Sequence, residues 1–95
     1  MYYLYMKKNL KIKVFGRVQG VFFRYSAKKK AQELGLLGYA KNMPDGTVEI
    51  EAEGEKKNLQ IFLQWCKKGS ETAEVEKVDF VFSDETKNFK DFNQI

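Results

Sequence analysis

The fold of this chain is most tightly constrained by the order in which strand-like and helix-like hydrophobic periodicities follow one another. Residues 11–15 alternate polar and apolar side chains, the period-two pattern of a strand with one buried face. An apolar stripe with helical spacing comes next: Phe23, Ala27, Ala31 and Leu34. Gly35 is placed to end this helix, because glycine readily adopts the left-handed conformation common at helix C-termini. The chain therefore begins with a strand and a helix.

A β-hairpin is predicted for the middle of the chain. Residues 36–41 favour a second strand, and residues 42–46, Asn-Met-Pro-Asp-Gly, combine the only proline with an Asp-Gly pair, a strong turn signal. Residues 47–53 then alternate, with three glutamates on one side: Glu49, Glu51 and Glu53. We expect the second and third strands to form a hairpin whose acidic face is exposed to solvent.

A second helix and a fourth strand complete the predicted order of elements. Residues 55–68 indicate a second helix, with its apolar stripe at Leu59, Phe62, Leu63 and Cys66. Residues 77–83 alternate as a fourth strand, and the tail 89–95 is expected to add at most a short fifth edge strand. This order predicts an α+β, ferredoxin-like βαββαβ sandwich, a four-stranded antiparallel sheet with two helices on one face. Right-handed crossovers place the first and third strands in the middle and the second and fourth at the edges.

The length of 95 residues fits one domain, 1–95, with residues 1–9 as an N-terminal extension whose order the sequence leaves open. The tyrosines of that extension alternate loosely and could either extend the first strand or form a base-stacking patch: Tyr2, Tyr3 and Tyr5.

Several classes of site are excluded by residues that the sequence lacks. It contains no histidine, so catalysis by an imidazole base is impossible, and Cys66, the only cysteine, can form neither an intrachain disulfide nor a zinc site by itself. The sequence has no P-loop motif, and no apolar stretch approaches the roughly 20 residues of a membrane span. We expect a cytoplasmic protein that uses no metal or other cofactor and has no membrane partner.

An anion site is indicated by the placement of arginine. The chain has fifteen lysines but only two arginines, Arg17 and Arg24, and both lie in the segment Gly-Arg-Val-Gln-Gly-Val-Phe-Phe-Arg at 16–24. Arginine's planar fork suits bidentate binding of phosphate or carboxylate, and glycines allow several backbone N–H groups to converge. Because the segment leads into a helix, the positive end of the helix dipole favours the same anion.

The same segment, together with residues 38–48, Gly-Tyr-Ala-Lys-Asn-Met-Pro-Asp-Gly-Thr-Val, resembles the two signature blocks of the acylphosphatases. The resemblance implies the ferredoxin-like fold and hydrolysis of the carboxyl–phosphate bond of acyl phosphates to carboxylate and inorganic phosphate. It implies no metal and no covalent intermediate. The implied partners are small-molecule acyl phosphates, with inorganic phosphate as product and competitive ligand, and we expect a monomer that binds no nucleic acid.

Residue roles also follow from this resemblance. Arg24 matches the family's phosphate-binding arginine, and Asn42 matches the asparagine that positions the attacking water. The implied phosphate-binding loop comprises Arg17, Val18, Gln19, Gly20, Val21, Phe22 and Phe23, with Arg17 in a supporting role. The sequence departs from the family after the second helix, where Gly69-Ser70 replaces a frequent Gly-Pro pair; this departure concerns that loop and not the site.

Two other functions are compatible with the same element order. The RNA-binding RRM shares the βαββαβ plan, and this chain is basic, with a net charge of +4, and 15% aromatic. Against it, Lys41 and Asn42 interrupt the RRM aromatic motif, and the third strand carries three glutamates. The other alternative is a non-catalytic phosphate-binding module, which an intact Arg24 and Asn42 argue against.

Overall fold

Five strands and two helices follow one another in residues 7–95, the part of the chain that the computed structural model describes. In chain order they are β1 (Lys7–Arg17), α1 (Phe23–Glu33), β2 (Leu37–Asn42), β3 (Val48–Glu55), α2 (Lys56–Lys68), β4 (Glu74–Ser83) and β5 (Phe92–Gln94). Residues 7–9 of the expected extension thus belong to β1. The predicted extension of this strand by Tyr2, Tyr3 and Tyr5, like the base-stacking alternative, lies outside the described residues.

The strands form one sheet in the order β4-β1-β3-β2-β5, and the ferredoxin-like prediction is confirmed. As predicted, β1 and β3 are adjacent in the middle and β4 lies at an edge. The prediction that β2 is the other edge is wrong, because β5 pairs with it in parallel. Backbone bonds from Gly38 N to Asp91 O, at 2.8 Å, and from Ile95 N to Ala40 O, at 2.9 Å, hold this added strand.

Both helices pack on one face of the sheet through the predicted stripes. α1 buries Phe23, Ala27 and Ala31, and α2 buries Leu59, Phe62, Leu63 and Cys66. They meet the apolar side chains of the central strands: Leu10, Ile12, Val14, Val48, Ile50 and Ala52. Burial raises the pKa of the Cys66 thiol, as expected for a core residue rather than a nucleophile.

The opposite face of the sheet is not the solvated acidic surface that the alternation predicted. Glu51 and Glu53 are only 3% and 2% exposed, because the segment 84–91 crosses over them. Asn9 Nδ2 donates to Glu51 Oε2 at 2.7 Å and to Glu53 Oε2 at 2.9 Å, and Lys87 Nζ lies 3.0 Å from Glu51 Oε2. These partners allow both carboxylates to be buried.

We expect acid to weaken the fold through Glu53. Burial alone would raise its pKa, but hydrogen bonds from Asn9 and from the backbone N–H groups of Lys87 and Asn88 outweigh this effect and hold the pKa below its ordinary value of 4.5. Because the pKa is lower in the folded state, the carboxylate stabilises the fold above about pH 4.5, and this contribution is lost as the pH falls through the folded-state pKa.

Urea denaturation of a Glu53→Gln variant tests this expectation. At neutral pH its free energy of unfolding should lie about 1.5–3 kcal/mol below that of the wild type, the usual contribution of hydrogen bonds to a charged group. The difference should shrink as the pH falls through the acidic range, whereas the exposed control Glu85→Gln should follow the wild type. If the free energies of unfolding of Glu53→Gln and the wild type fell in parallel as the pH is lowered, the proposed contribution of the Glu53 carboxylate would be contradicted.

Candidate functional site

The last but one residue of β1 is at a position that only glycine can occupy. Gly16 has φ +127° and lies where the register between β1 and β4 shifts. A Cβ atom there would lie 2.2 Å from the carbonyl oxygen of Glu74 on β4. Gly16 therefore lets β4 approach closely at the end of β1 that leads into the loop.

Residues 18–22 form the loop itself, with buried side chains anchoring an accessible backbone. Val18 and Val21 are buried in the core, while Gly20 and Phe22 have φ of +74° and +60°. Left-handed residues in such a turn bring successive N–H groups to one side, an arrangement that binds anions. No side chain caps the N-terminus of α1, where Phe22 is the N-cap residue, so the amides at this helix end remain available to a ligand.

The two arginines are separated by the structure. Arg24, the second residue of α1, lines a cleft of about 270 Å³, and its Nη1 donates to a backbone oxygen of Ile95 at 2.6 Å. Arg17 is not among the described residues that line this cleft; its Nη1 lies 3.4 Å from Glu74 Oε1 in an exposed ion pair. The two arginine side chains therefore do not line one common anion site in this structure.

Asn42 reaches the same cleft from the end of β2. Its Oδ1 atom is buried and accepts no hydrogen bond from any residue in the described range 7–95. A buried acceptor without a donor costs about 1–3 kcal/mol, so such groups in native proteins usually have a role. The cleft brings together the sequence-predicted residues Val18, Gly20, Phe22, Phe23, Arg24 and Asn42.

Gln19 joins the two motif blocks through its side chain. Its Nε2 donates to the carbonyl oxygens of Met43 and Thr47, at 2.8 and 2.9 Å, and so ties the loop to the β2–β3 turn beside Asn42. Hydrogen bonds from Thr47 to Asp45 hold that turn together. The same bonds, together with nearby Lys13, lower the pKa of Asp45 to about 2. Sequence reasoning assigned Gln19 only a backbone amide, because no local pattern reports a contact across 24 or more residues.

The tail supplies part of the site that the sequence did not indicate. Gln94 lines the cleft, and Ile95 holds Arg24 through a backbone oxygen. Both reach the cleft because β5 is parallel to β2, so its end lies beside the end that carries Asn42. The sequence predicted a short edge strand in this tail but not its parallel pairing with β2, because a strand of only three residues carries little pairing signal.

The described residues 7–95 contain neither a cluster that could hold a metal ion nor a helix that could cross a membrane. Within residues 7–95, no group of three or more cysteine, aspartate or glutamate side chains is arranged to hold a metal ion. Neither of the two described helices is long and apolar enough to cross a membrane.

Comparison with known proteins relates the whole arrangement to one family. A family model described as acylphosphatase matches residues 10–94. The acylphosphatase of Acaryochloris marina is 51% identical over 70 residues, which cover 74% of this chain and 75% of that protein. The crystal structure of acylphosphatase from Bacillus subtilis matches with a TM-score of 0.90 and 38% identity, covering 93% of this chain and 98% of that one. Full-length HypF, in its phosphate- and nucleotide-bound form, matches with a TM-score of 0.88 and 29% identity, covering 96% of this chain but 12% of HypF.

Proposed function

The chain belongs to the acylphosphatase family, and we propose that its active site is the cleft between the loop 17–23, Arg24 and Asn42. The protein is an enzyme that hydrolyses acyl phosphates to carboxylate and inorganic phosphate. The observation that carries the proposed site is the convergence, in one cleft, of a loop of amides, a guanidinium and a buried acceptor without a donor. The proposal includes a cytoplasmic monomer that acts on small-molecule acyl phosphates and requires no metal.

Phosphate binding is assigned to the loop amides and Arg24. The turn through Gly20 and Phe22 directs N–H groups toward one anion, and the N-terminus of α1 adds its positive dipole. A guanidinium has five N–H donors, so the bond from Arg24 to Ile95 orients this group and still leaves donors for phosphate oxygens. These donors act most strongly on the transition state, where negative charge is spread over the transferring phosphoryl oxygens.

The attacking water is assigned to Asn42. Its side-chain amide hydrogen-bonds the water and places the water oxygen in line with the scissile bond, so that the new P–O bond forms as the bond to the carboxyl oxygen breaks. The carboxylate leaves with the bonding electrons, and the protons of water end on the released phosphate or in solvent. A carboxylate is a good leaving group, so the site requires no strong base. None of the described residues lining the cleft is an aspartate or a glutamate.

Phosphate release from benzoyl phosphate, measured with a metal chelator present, tests the proposal. We expect turnover without added cofactor and competitive inhibition by inorganic phosphate, because product and substrate share the loop. Turnover that appears only after a divalent metal is restored would contradict the metal-independent mechanism. Turnover that inorganic phosphate does not inhibit would contradict the shared site.

The structure does not favour the two alternatives. An RRM binds RNA on the open face of its sheet, but here the segment 84–91 covers part of that face and Tyr39 donates to Glu49 at 2.6 Å across it. A non-catalytic phosphate-binding module would not need a water-positioning group, yet Asn42 lies in the cleft with its acceptor buried.

A further inference from the structure

We propose that Ser70 and Thr72 are positioning residues that hold the phosphate-binding loop in its working conformation; this inference rests on the proposed function. Ser70 Oγ donates to the carbonyl oxygen of Val21 at 2.9 Å, and Thr72 Oγ1 donates to the same oxygen at 3.0 Å. Both hydroxyls come from the α2–β4 turn, residues 69–73, which is about 50 positions away in the sequence. A single loop carbonyl is therefore held by two donors from one distant turn.

The held carbonyl determines where the next amide points. The peptide bond between Val21 and Phe22 is trans and planar, so the Val21 carbonyl and the Phe22 N–H point in opposite directions. With the carbonyl directed at Ser70 and Thr72, the N–H of Phe22 is directed away from that turn. Ser70 and Thr72 are absent from the described lining of the cleft, whereas Phe22 is part of it. The two hydroxyls thus orient an amide of the proposed phosphate site without contacting the phosphate.

Phe22 needs such support. Its φ of +60° is in the left-handed region that side-chain-bearing residues other than asparagine and aspartate rarely adopt. Its ring cannot stabilise this conformation by packing into the core, because Phe22 is 78% exposed. No side chain caps α1 at this residue. The two bonds to the neighbouring Val21 carbonyl help to hold this peptide unit, together with the buried Val21 side chain and the bond from Ser26 N to Phe22 O.

The α2–β4 turn is itself held by packing and by hydrogen bonds. Gly69 ends α2 with φ +79°, and a Cβ atom there would lie 2.8 Å from the ring of Phe23, so the turn is packed against the start of α1. Within the turn, Ala73 N donates to Ser70 O at 3.0 Å, and β4 follows at Glu74, paired with Arg17. Ser70 is nearly buried, so water competes little for its bond to Val21.

The test compares Ser70→Ala, Thr72→Val and the double variant with the wild type. For each single variant, kcat/KM for benzoyl phosphate should fall and the inhibition constant of inorganic phosphate should rise, each on the order of tenfold or less, the range expected for one hydrogen bond. The double variant should lose more than either single variant. Thr72→Ser retains the donor and should stay near wild-type values, as should the matched control Thr86→Val in the segment 84–91.

A spectroscopic measurement separates positioning from a general loss of stability. In amide NMR spectra, titration with inorganic phosphate should shift the Phe22 N–H strongly in the wild type and weakly in Thr72→Val. A lower melting temperature combined with unchanged phosphate affinity and an unchanged Phe22 shift would overturn the inference. If the double variant does not fold, the comparison of Thr72→Val with Thr72→Ser decides the question.

The inference and the proposed function fail in different ways. Suppose that the wild type turns over and that this turnover depends on Arg24, but that the Ser70 and Thr72 variants keep wild-type kinetics and phosphate affinity. This result would leave the proposed function standing and refute the positioning role. A wild-type protein without turnover would refute the proposed function. The phosphate titration of the Phe22 amide would then still decide whether the hydroxyls of Ser70 and Thr72 position the loop or only stabilise the fold.

Discussion

Replacing Arg24 with alanine should abolish phosphate binding and acyl phosphate hydrolysis together. The side chain supplies the only cationic group among the described residues that line the cleft. Removing one donor that stabilises transition-state charge typically costs about 10²- to 10³-fold in kcat, and here a formal charge is lost with it. The phosphate contact is made in the ground state as well, so both kcat/KM for benzoyl phosphate and the affinity for inorganic phosphate should fall.

Two further variants isolate the reason for this loss. Arg24→Lys keeps the positive charge but not the planar fork, and it should recover only part of the activity. Arg17→Ala is the matched arginine control and should lose far less, since the Arg17 side chain is paired with Glu74 outside the cleft. Phosphate binding by Arg24→Ala with wild-type affinity would contradict the assignment of Arg24 as the phosphate clamp.

Replacing Asn42 with alanine should separate binding from turnover. The proposed role of Asn42 is to orient the water, so kcat should fall by about 10²- to 10³-fold, the range for loss of one transition-state contact, while inorganic phosphate still binds. The fold should tolerate the change, because Oδ1 makes no hydrogen bond to any residue in 7–95 and its removal leaves no described partner unsatisfied.

The measurements for Asn42→Ala are single-turnover hydrolysis of benzoyl phosphate and a phosphate titration followed by NMR. Asn58→Ala is a suitable control, since Asn58 lies on α2 and donates to Leu34 O, away from the cleft. Normal turnover by Asn42→Ala would refute the water-positioning role. Equal loss of phosphate affinity and turnover would instead reassign Asn42 as a phosphate ligand.

Features governed by neighbouring residues were predictable from sequence. The stripe Phe23, Ala27 and Ala31 and the helix end at Gly35, with φ +68°, occur as predicted, because helical spacing and left-handed glycine are local properties. The hairpin formed by β2 and β3 also occurs, because Pro44, Asp45 and Gly46 leave the backbone few alternatives to a turn. Arg24 and Asn42 could be proposed as a pair because each belongs to a contiguous motif.

Features that depend on distant pairing were missed or were wrong. The alternation around Glu51 and Glu53 correctly indicated a strand, but not that the segment 84–91 would cover these carboxylates. A strand pattern shows which residues share a face and carries no information about what covers that face. The two arginines were placed together because they are near in sequence, yet β1 directs Arg17 toward Glu74 while α1 carries Arg24 to the cleft.

The sequence by itself determined the order of elements, the buried faces of the helices and the family resemblance, and it suggested the two residues on which the proposed chemistry depends. Each of these follows from side-chain periodicity or from motifs of about ten residues. Only the tertiary structure decided that β5 pairs in parallel with β2, that Gln19 ties the loop to the turn, and that Ser70 and Thr72 hold the Val21 carbonyl. These contacts join residues 24 to 55 positions apart, and they form only after strand register and helix packing bring the segments together.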